Sequence, residues 1–230
     1  RKYPEYEGLN LTFEVRAGLV KRRDPNKAIL DGKKLPPQPS LESQVADIAD
    51  DITYYGHDVD DGLESGLLNE KMLNSLEIWN MATDEAAKRG IRHGDKFHVY
   101  AVRCLIDMMV RNVVIESEKN LKKYHIKDHL DAQKMVSKII SFDDKFAELT
   151  NKLRDFLYKN LYYHPAVSGV NLEASEKIQD LFKYYSDKPK EMGRFANSRI
   201  EKDGIKRAVA DYIAGMTDRF AILEHRRLSH

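Results

Sequence analysis

The chain has 230 residues, of which 42% are hydrophobic and 33% charged, and its formal net charge is +1. This is the composition of a soluble protein with one large or two small domains, and the balanced charge excludes a surface that binds polyanions over its whole extent. Cys104 is the only cysteine, which excludes a disulfide framework and a thiolate metal site, and no apolar run approaches the roughly 18 residues of a membrane span.

Two further features of the sequence concern the cellular compartment and the start of the chain. No signal peptide is present, and together with the single thiol this predicts a reducing, cytoplasmic location. The chain begins at Arg1 without a Met, which indicates a fragment or a processed chain.

The first ninety residues are predicted as helices interrupted by one long loop. Residues 11–21 have helical apolar spacing, and residues 24–39 are predicted as a loop because they hold four of the seven prolines. Residues 40–63 are predicted as one long helix that Ser40 caps. Asn69 is predicted to cap the next helix, and a further helical segment ends at Gly90.

The rest of the chain is also predicted as helices. The longest covers residues 96–123, Ser141 caps another, residues 171–185 form a third, and Asp203 caps a final long helix that reaches residue 223. No convincing strand appears. The sequence therefore predicts an all-α, multi-helix bundle of roughly eight helices, a number that rests on periodicity alone.

The helix predicted over residues 40–63 has two different faces. Its apolar stripe consists of Leu41, Val45, Ile48, Ile52, Tyr55, Val59 and Leu63. The opposite face carries Asp47, Asp50, Tyr54, Asp58 and Asp61. No Lys or Arg occurs between Lys34 and Lys71, so the positive charge that balances these aspartates comes from elsewhere. Either a metal ion or a Lys or Arg of a distant segment would supply it.

The ordinary reading of such a charge run is a solvated surface. Two details favour a binding site instead. Tyr54 lies inside the acidic face, and the helix uses Asp, a poorer helix former than Glu. Short carboxylates suit hard cations that prefer oxygen ligands.

Motifs of other functions are missing from the sequence. It contains no glycine-rich phosphate loop, no GxSxG elbow and no CxxC pair, and its basic residues are not interleaved with aromatic ones as in a nucleic-acid groove. Basic residues late in the chain are Arg194, Arg199, Lys202, Lys206, Arg207 and Arg219. A metal on carboxylates combined with such side chains describes a site for a phosphorylated substrate, whereas the ordinary role of each is surface solubility.

Three blocks of the sequence carry a family resemblance. They are GLNLT at residues 8–12, LESQVADIADDI at 41–52 with Tyr54 and HDVDD at 57–61, and DYIAGMTDRFA at 211–221. In this order they resemble signatures of the bacterial deoxynucleoside triphosphate triphosphohydrolases, or dGTPase-like proteins, a branch of the HD-domain superfamily. The blocks extend over nearly the whole chain.

The resemblance implies a helical HD fold and hydrolysis of dGTP or another dNTP to a deoxynucleoside and tripolyphosphate. It also implies a divalent metal, Mg²⁺ or Mn²⁺ or another transition metal, and a homo-oligomer with dNTP effector sites between subunits. Residues 1–140 would then be the C-terminal part of the HD-type domain, including the acidic helix at 40–63. Residues 141–230 would be a helical region packed on it.

Individual site residues follow from the same resemblance. The family's spacing of Asp, Tyr and Asp corresponds to Asp50, Tyr54 and Asp58. By resemblance Asp50 is a metal ligand, Tyr54 packs on the deoxyribose, and Asp58 accepts a hydrogen bond from the 3′-hydroxyl. Arg207 and Arg219 are expected to contact phosphate or an effector, with a salt bridge as the alternative role.

The catalytic residues themselves are not assigned. His57 and Asp58 spell HD, but the dyad that names the superfamily and an additional His are expected before Arg1, with the catalytic acid or base. This chain would then hold one of four protein metal ligands and be inactive by itself. The alternatives are a non-catalytic helical regulatory or oligomerisation module, and another HD-superfamily phosphohydrolase that acts on cyclic nucleotides or monophosphates.

Overall fold

The structure, a computed structural model, describes residues 8–20, 28–91 and 96–228. Within these ranges the chain consists of α-helices with one small hairpin, so the predicted all-α class is confirmed. In the same ranges no helix is long and apolar enough to cross a membrane. Two compact units divide the chain, Arg1–Leu161 and Tyr162–His230.

The described residues of the first unit form seven α-helices and a two-stranded hairpin. In chain order these are α1 (Phe13–Gly18), β1 (Ile29–Leu30), β2 (Lys33–Lys34), α2 (Leu41–Glu64), α3 (Glu70–Leu73), α4 (Glu77–Lys88), α5 (Phe97–Lys123), α6 (His129–Lys134) and α7 (Asp144–Leu157). A π-helical turn, Tyr158–Tyr162, continues α7.

The hairpin lies where the sequence predicted only a loop. Its strands are antiparallel, with Ile29 opposite Lys34 and Leu30 opposite Lys33. Asp31 and Gly32 between them have φ values of 50° and 75°. Two successive residues with positive φ are what a two-residue hairpin turn of type I′ requires.

Helix α2 is the long helix that the sequence predicted, within one residue at each end. The Ser40 hydroxyl accepts a hydrogen bond from Ser43 N at 3.3 Å, as expected for the N-cap. Three members of its apolar stripe, Ile52, Tyr55 and Val59, are buried, while Val45 is half exposed. The stripe therefore faces the core over the middle of the helix.

The core of the first unit forms where α2, α4 and α5 pack together, with α7 against α2 and α4. Gly56 allows the close approach of α2 and α5, since a Cβ there would lie 2.6 Å from Ile106 Cδ1. Helix α5 begins one residue after its predicted start and ends at Lys123 as predicted. Asn69 caps its helix as predicted, but that helix ends at Leu73 and α4 begins separately at Glu77.

The second unit consists of α8 (Pro165–Asp187), a 3₁₀ turn (Pro189–Met192), α9 (Gly193–Asn197), α10 (Ile200–Asp203), α11 (Ile205–Ala214) and α12 (Asp218–Leu228). Its core contains Leu181, Tyr185, Met192, Ala196 and Val209. The ring of Tyr185 packs edge-on against that of Tyr212, with centroids 5.1 Å apart.

Several predicted helix limits were wrong. The final helix is two helices, because Gly215 ends α11 and the Thr217 hydroxyl accepts from Phe220 N at the start of α12. Gly204, with φ 79°, precedes α11 in place of the predicted cap Asp203. Asp143, two residues after the predicted Ser141, caps α7. The described ranges hold twelve α-helices rather than about eight, because apolar spacing continues across short breaks.

The predicted domain boundary lies between residues 140 and 141, whereas the compact units divide between residues 161 and 162. Packing on α2 and α4 places α7 in the first unit. The assignment of residues 1–140 to an HD-type domain stays a prediction.

Candidate functional site

Asp50, Tyr54 and Asp58 follow each other along one side of α2, and we call them the α2 row. Their spacing of four residues corresponds to about 6 Å of helix rise per step, slightly more than one turn. Asp50 is exposed, the Tyr54 side chain is 45% exposed, and Asp58 is partly buried. A single continuous helix thus holds the three side chains in the order that the resemblance implied.

Within the α2 row, Asp58 has a buried side-chain oxygen. Its Oδ2 is buried and has no hydrogen-bond partner among the residues that the structure describes. Burial raises the pKa of Asp58 above its ordinary value, the charge of Asp61 raises it further, and His57 partly opposes both. A buried carboxylate oxygen without a donor is costly, so this atom is suited to accept a hydrogen bond from a ligand.

Tyr54 presents a partly exposed ring beside these carboxylates. Burial, followed by the charge of Asp58 and by Tyr158, raises the pKa of Tyr54. Its hydroxyl therefore stays protonated and can donate a hydrogen bond at neutral pH. The Tyr55 ring meets it edge-on, with 6.3 Å between the centroids. Sequence reasoning did not find Tyr158, which reaches this surface from the π-helical turn.

A distant cation balances one of the aspartates, as the sequence allowed. Lys138 Nζ lies 2.6 Å from Asp47 Oδ2, and 91 residues separate the two in the chain. Asp47 lies on the acidic face of α2 but does not belong to the α2 row. For Asp47, a distant lysine therefore supplies positive charge.

A metal ion does not fit the described residues by themselves. Across residues 8–20, 28–91 and 96–228, no three His, Cys, Asp or Glu side chains come close enough together to bind one. Asp50 would offer a single carboxylate, and hard divalent cations take six or more oxygen ligands. A complete metal centre would need ligands from outside these ranges.

The start of α2 is held in place by Gln44, which sequence reasoning missed. This side chain is 1% exposed. Its Oε1 accepts hydrogen bonds from Ile139 N at 2.9 Å and Ile140 N at 3.1 Å, and its Nε2 donates to Pro39 O at 3.0 Å. The signal in the sequence is a glutamine adjoining the apolar stripe of the helix, where a polar residue needs buried partners.

Arg207 and Arg219 lie in the second unit. Arg207 Nε donates to Asp211 Oδ1 at 2.9 Å, and Arg199 donates to the other oxygen of Asp211 at 2.6 Å. The hydrogen bond from Arg199, with the charge of Arg207, lowers the pKa of Asp211. Arg207 thus has the salt bridge that the sequence left as the alternative, and Arg219 is exposed on α12. Contact with phosphate or an effector stays a prediction for both.

Comparison with known proteins finds a matching domain family and several similar proteins. Residues 140–227 match the phosphohydrolase-associated domain. The chain is also 33% identical over 99% of its length to a deoxyguanosinetriphosphate triphosphohydrolase-like protein of Geobacter sulfurreducens. Similar proteins of the same name occur in Thiobacillus denitrificans, at 35% identity, and Ralstonia pickettii, at 32%.

Over 99% of its length the chain is similar to the deoxyguanosinetriphosphate triphosphohydrolase-like proteins, and the predicted resemblance is confirmed. It spans about 60% of the length of these relatives.

Proposed function

We propose that the intact protein hydrolyses dGTP or another dNTP to a deoxynucleoside and tripolyphosphate, and that this chain contributes the α2 row. Asp50 serves as one ligand of a divalent metal, Tyr54 packs on the deoxyribose, and Asp58 accepts a hydrogen bond from the 3′-hydroxyl. The observation that supports this most is the buried Asp58 Oδ2 without a described partner, about one turn from the exposed ring of Tyr54.

The sugar is the part of the substrate that this chain would recognise. A hydroxyl donor satisfies Asp58 Oδ2, and a buried carboxylate gains more from a hydrogen bond than an exposed one. The Tyr54 ring covers an apolar face of the deoxyribose, and its protonated hydroxyl can donate to a neighbouring oxygen. Both contacts fix the nucleoside end and thereby orient the α-phosphate.

The proposed reaction is attack of water on the α-phosphorus. A new phosphorus–oxygen bond forms, the bond to the 5′ oxygen breaks, and that oxygen takes a proton as the deoxynucleoside leaves. Mg²⁺ or Mn²⁺, when bound, would lower the pKa of water and polarise the phosphate. Arg207 and Arg219 stay proposed contacts for phosphate or an effector dNTP in a homo-oligomer, and Arg207 would have to leave Asp211 to make one.

By this proposal the chain alone is inactive, since the other metal ligands and the catalytic acid or base lie outside the described residues. A lone carboxylate binds divalent cations weakly. We therefore expect calorimetric titration of the 230-residue chain with Mn²⁺ to show no tight stoichiometric site. A stoichiometric site of micromolar or better affinity would contradict the incomplete centre.

The activity itself is tested on the intact protein with Mg²⁺ or Mn²⁺ and each of the four dNTPs, with tripolyphosphate followed by ³¹P NMR. Asp58→Asn is expected to lower kcat/KM about tenfold or more, because a neutral amide oxygen accepts a hydrogen bond more weakly than a charged carboxylate does. Glu64→Gln, at the exposed end of the same helix, is the matched control and should change it by less than about threefold. Release of pyrophosphate and a nucleotide, or equal rates for Asp58→Asn and wild type, would refute the proposal.

A second candidate is a non-catalytic regulatory or assembly module. It is favoured by the finding that no three metal-binding side chains converge in the described parts of the chain. It predicts that the intact protein releases no tripolyphosphate from any dNTP with either metal.

A further inference from the structure

A cavity of about 510 Å³ lies in the second unit, and the proposed reaction does not use it. Its volume is in the range of small-molecule sites. Six of the residues that line it belong to the block at 211–221: Asp211, Tyr212, Gly215, Met216, Thr217 and Phe220. A ligand-binding role of the block at 211–221 would explain why so many of its residues line a cavity.

Small residues and a fixed tyrosine create the space. Ala196 and Ala208 line the cavity and are both buried, so their short side chains leave room that larger ones would fill. Tyr212 forms another part of the wall, and Tyr185 in the core holds its ring in edge-on contact. The cavity is therefore bounded by residues of α9 and α11, by the break before α12 and by the first turn of α12.

The opening carries two exposed aromatic rings. Phe195 is 80% exposed and Phe220 46% exposed, although both line the cavity. A ligand that covered these rings would remove apolar surface from water. Exposed aromatic faces favour a flat, stacking ligand, because ring–ring contacts gain more than the buried area alone.

Arg199 and Asp211, the charged residues among those that line the cavity, form an ion pair that Asp203 and Arg207 extend. Arg199 binds Asp203 at 2.9 Å and Asp211 at 2.6 Å, and Arg207 binds Asp211 at 2.9 Å. Two cations thus face two anions, and the cluster offers no net positive charge to a phosphate. A phosphorylated ligand would have to break these pairs, whereas a neutral ligand leaves them intact.

We propose that this cavity binds a neutral, flat heteroaromatic molecule of the nucleoside class, with its base stacked on Phe195. The exposed aromatic rings indicate a flat aromatic ligand, and the balanced charge indicates a neutral one. The choice of a nucleoside rests on the proposed function, whose reaction would release a deoxynucleoside.

The test is metal-free titration of the full chain with each of the four deoxynucleosides, by calorimetry and saturation-transfer NMR. Indole and tripolyphosphate are titrated in parallel. At least one deoxynucleoside is expected to bind with one-to-one stoichiometry, and tripolyphosphate is not. Phe195→Ala should weaken that binding about tenfold, as for the loss of one base–aromatic stack.

Leu172→Ala on α8 is the matched control, since Leu172 is 66% exposed and does not line the cavity. It should leave binding unchanged. Ala208→Leu should abolish binding, because the larger side chain fills the cavity. If that variant does not fold, the Phe195→Ala variant still decides the test, since Phe195 is exposed.

Four results would overturn the proposal: no deoxynucleoside binds, indole binds alone, tripolyphosphate binds in their place, or Phe195→Ala binds as wild type does. Since no metal and no hydrolysis are involved, such a failure leaves the dNTP assay of the intact protein unaffected. Conversely, an inactive intact protein whose cavity still binds a nucleoside would refute only the proposed function.

Discussion

Replacing Gln44 with Leu should destabilise the first unit strongly. The substitution keeps a similar volume but leaves Ile139 N, Ile140 N and Pro39 O without their side-chain partner. Each buried backbone group left unpaired costs about 1–3 kcal/mol. Local relaxation and the added apolar burial offset part of the sum, so we expect a loss of about 4 kcal/mol.

Trp79 provides the assay, because it is the only tryptophan and is buried in α4 of the same unit. Urea unfolding followed by Trp79 fluorescence should show an unchanged slope and a lower midpoint. With a slope of about 2 kcal/mol per molar urea, a loss of 4 kcal/mol moves the midpoint by about 2 M.

Gln38→Leu is the control within the same unit. Its Nε2 donates to Val136 O at 2.8 Å on the exposed surface, so its replacement should cost less than about 1 kcal/mol. If Gln44→Leu also cost less than about 1 kcal/mol, the claim that Gln44 anchors the start of α2 would be wrong.

Three further predictions concern single side chains in the two units. Asp58→Asn should stabilise the first unit at pH 7 by about 0.5 kcal/mol, a small gain because partial exposure screens the charge. Burial raises the pKa of Asp58, so the wild type loses stability as the pH rises from the unfolded-state pKa through the folded-state pKa, and the gain should vanish at pH 3.5. Tyr185→Phe removes the hydrogen bond that the buried hydroxyl donates to Glu224, and should lower the stability of the second unit by about 2 kcal/mol, measured by far-UV circular dichroism. Gly56→Ala should cost about 1–3 kcal/mol, because the added Cβ would lie 2.6 Å from Ile106 Cδ1, and adding Ile106→Ala should cost less than the sum of the two single changes.

Each of these predictions has a definite contrary result. A stabilisation by Asp58→Asn that persists at pH 3.5 would show that ionisation of Asp58 is not its cause. Tyr185→Phe should leave the Trp79 fluorescence transition unchanged, and a shift there would contradict its confinement to the second unit. Strict additivity of the Gly56 and Ile106 changes would mean that the two residues do not meet across α2 and α5.

Local chemistry accounts for what could be predicted. Helix α2 could be predicted because its cap and its apolar spacing are both defined by residues that lie close together in the sequence. The last helix was predicted without its break at Gly215, because two successive helices can share one apolar period. The turn at Asp31 and Gly32 was hidden in a proline-rich stretch whose strands have only two residues each.

The sequence by itself determined the helical class, the family resemblance and the order of Asp50, Tyr54 and Asp58 along one helix side. Helical spacing depends only on local geometry. Only the tertiary structure decided that Asp58 Oδ2 is buried, that Lys138 balances Asp47 and that Gln44 holds residues 139 and 140. These are contacts between elements tens of residues apart, and packing and desolvation select them from many partners that the spacing allows.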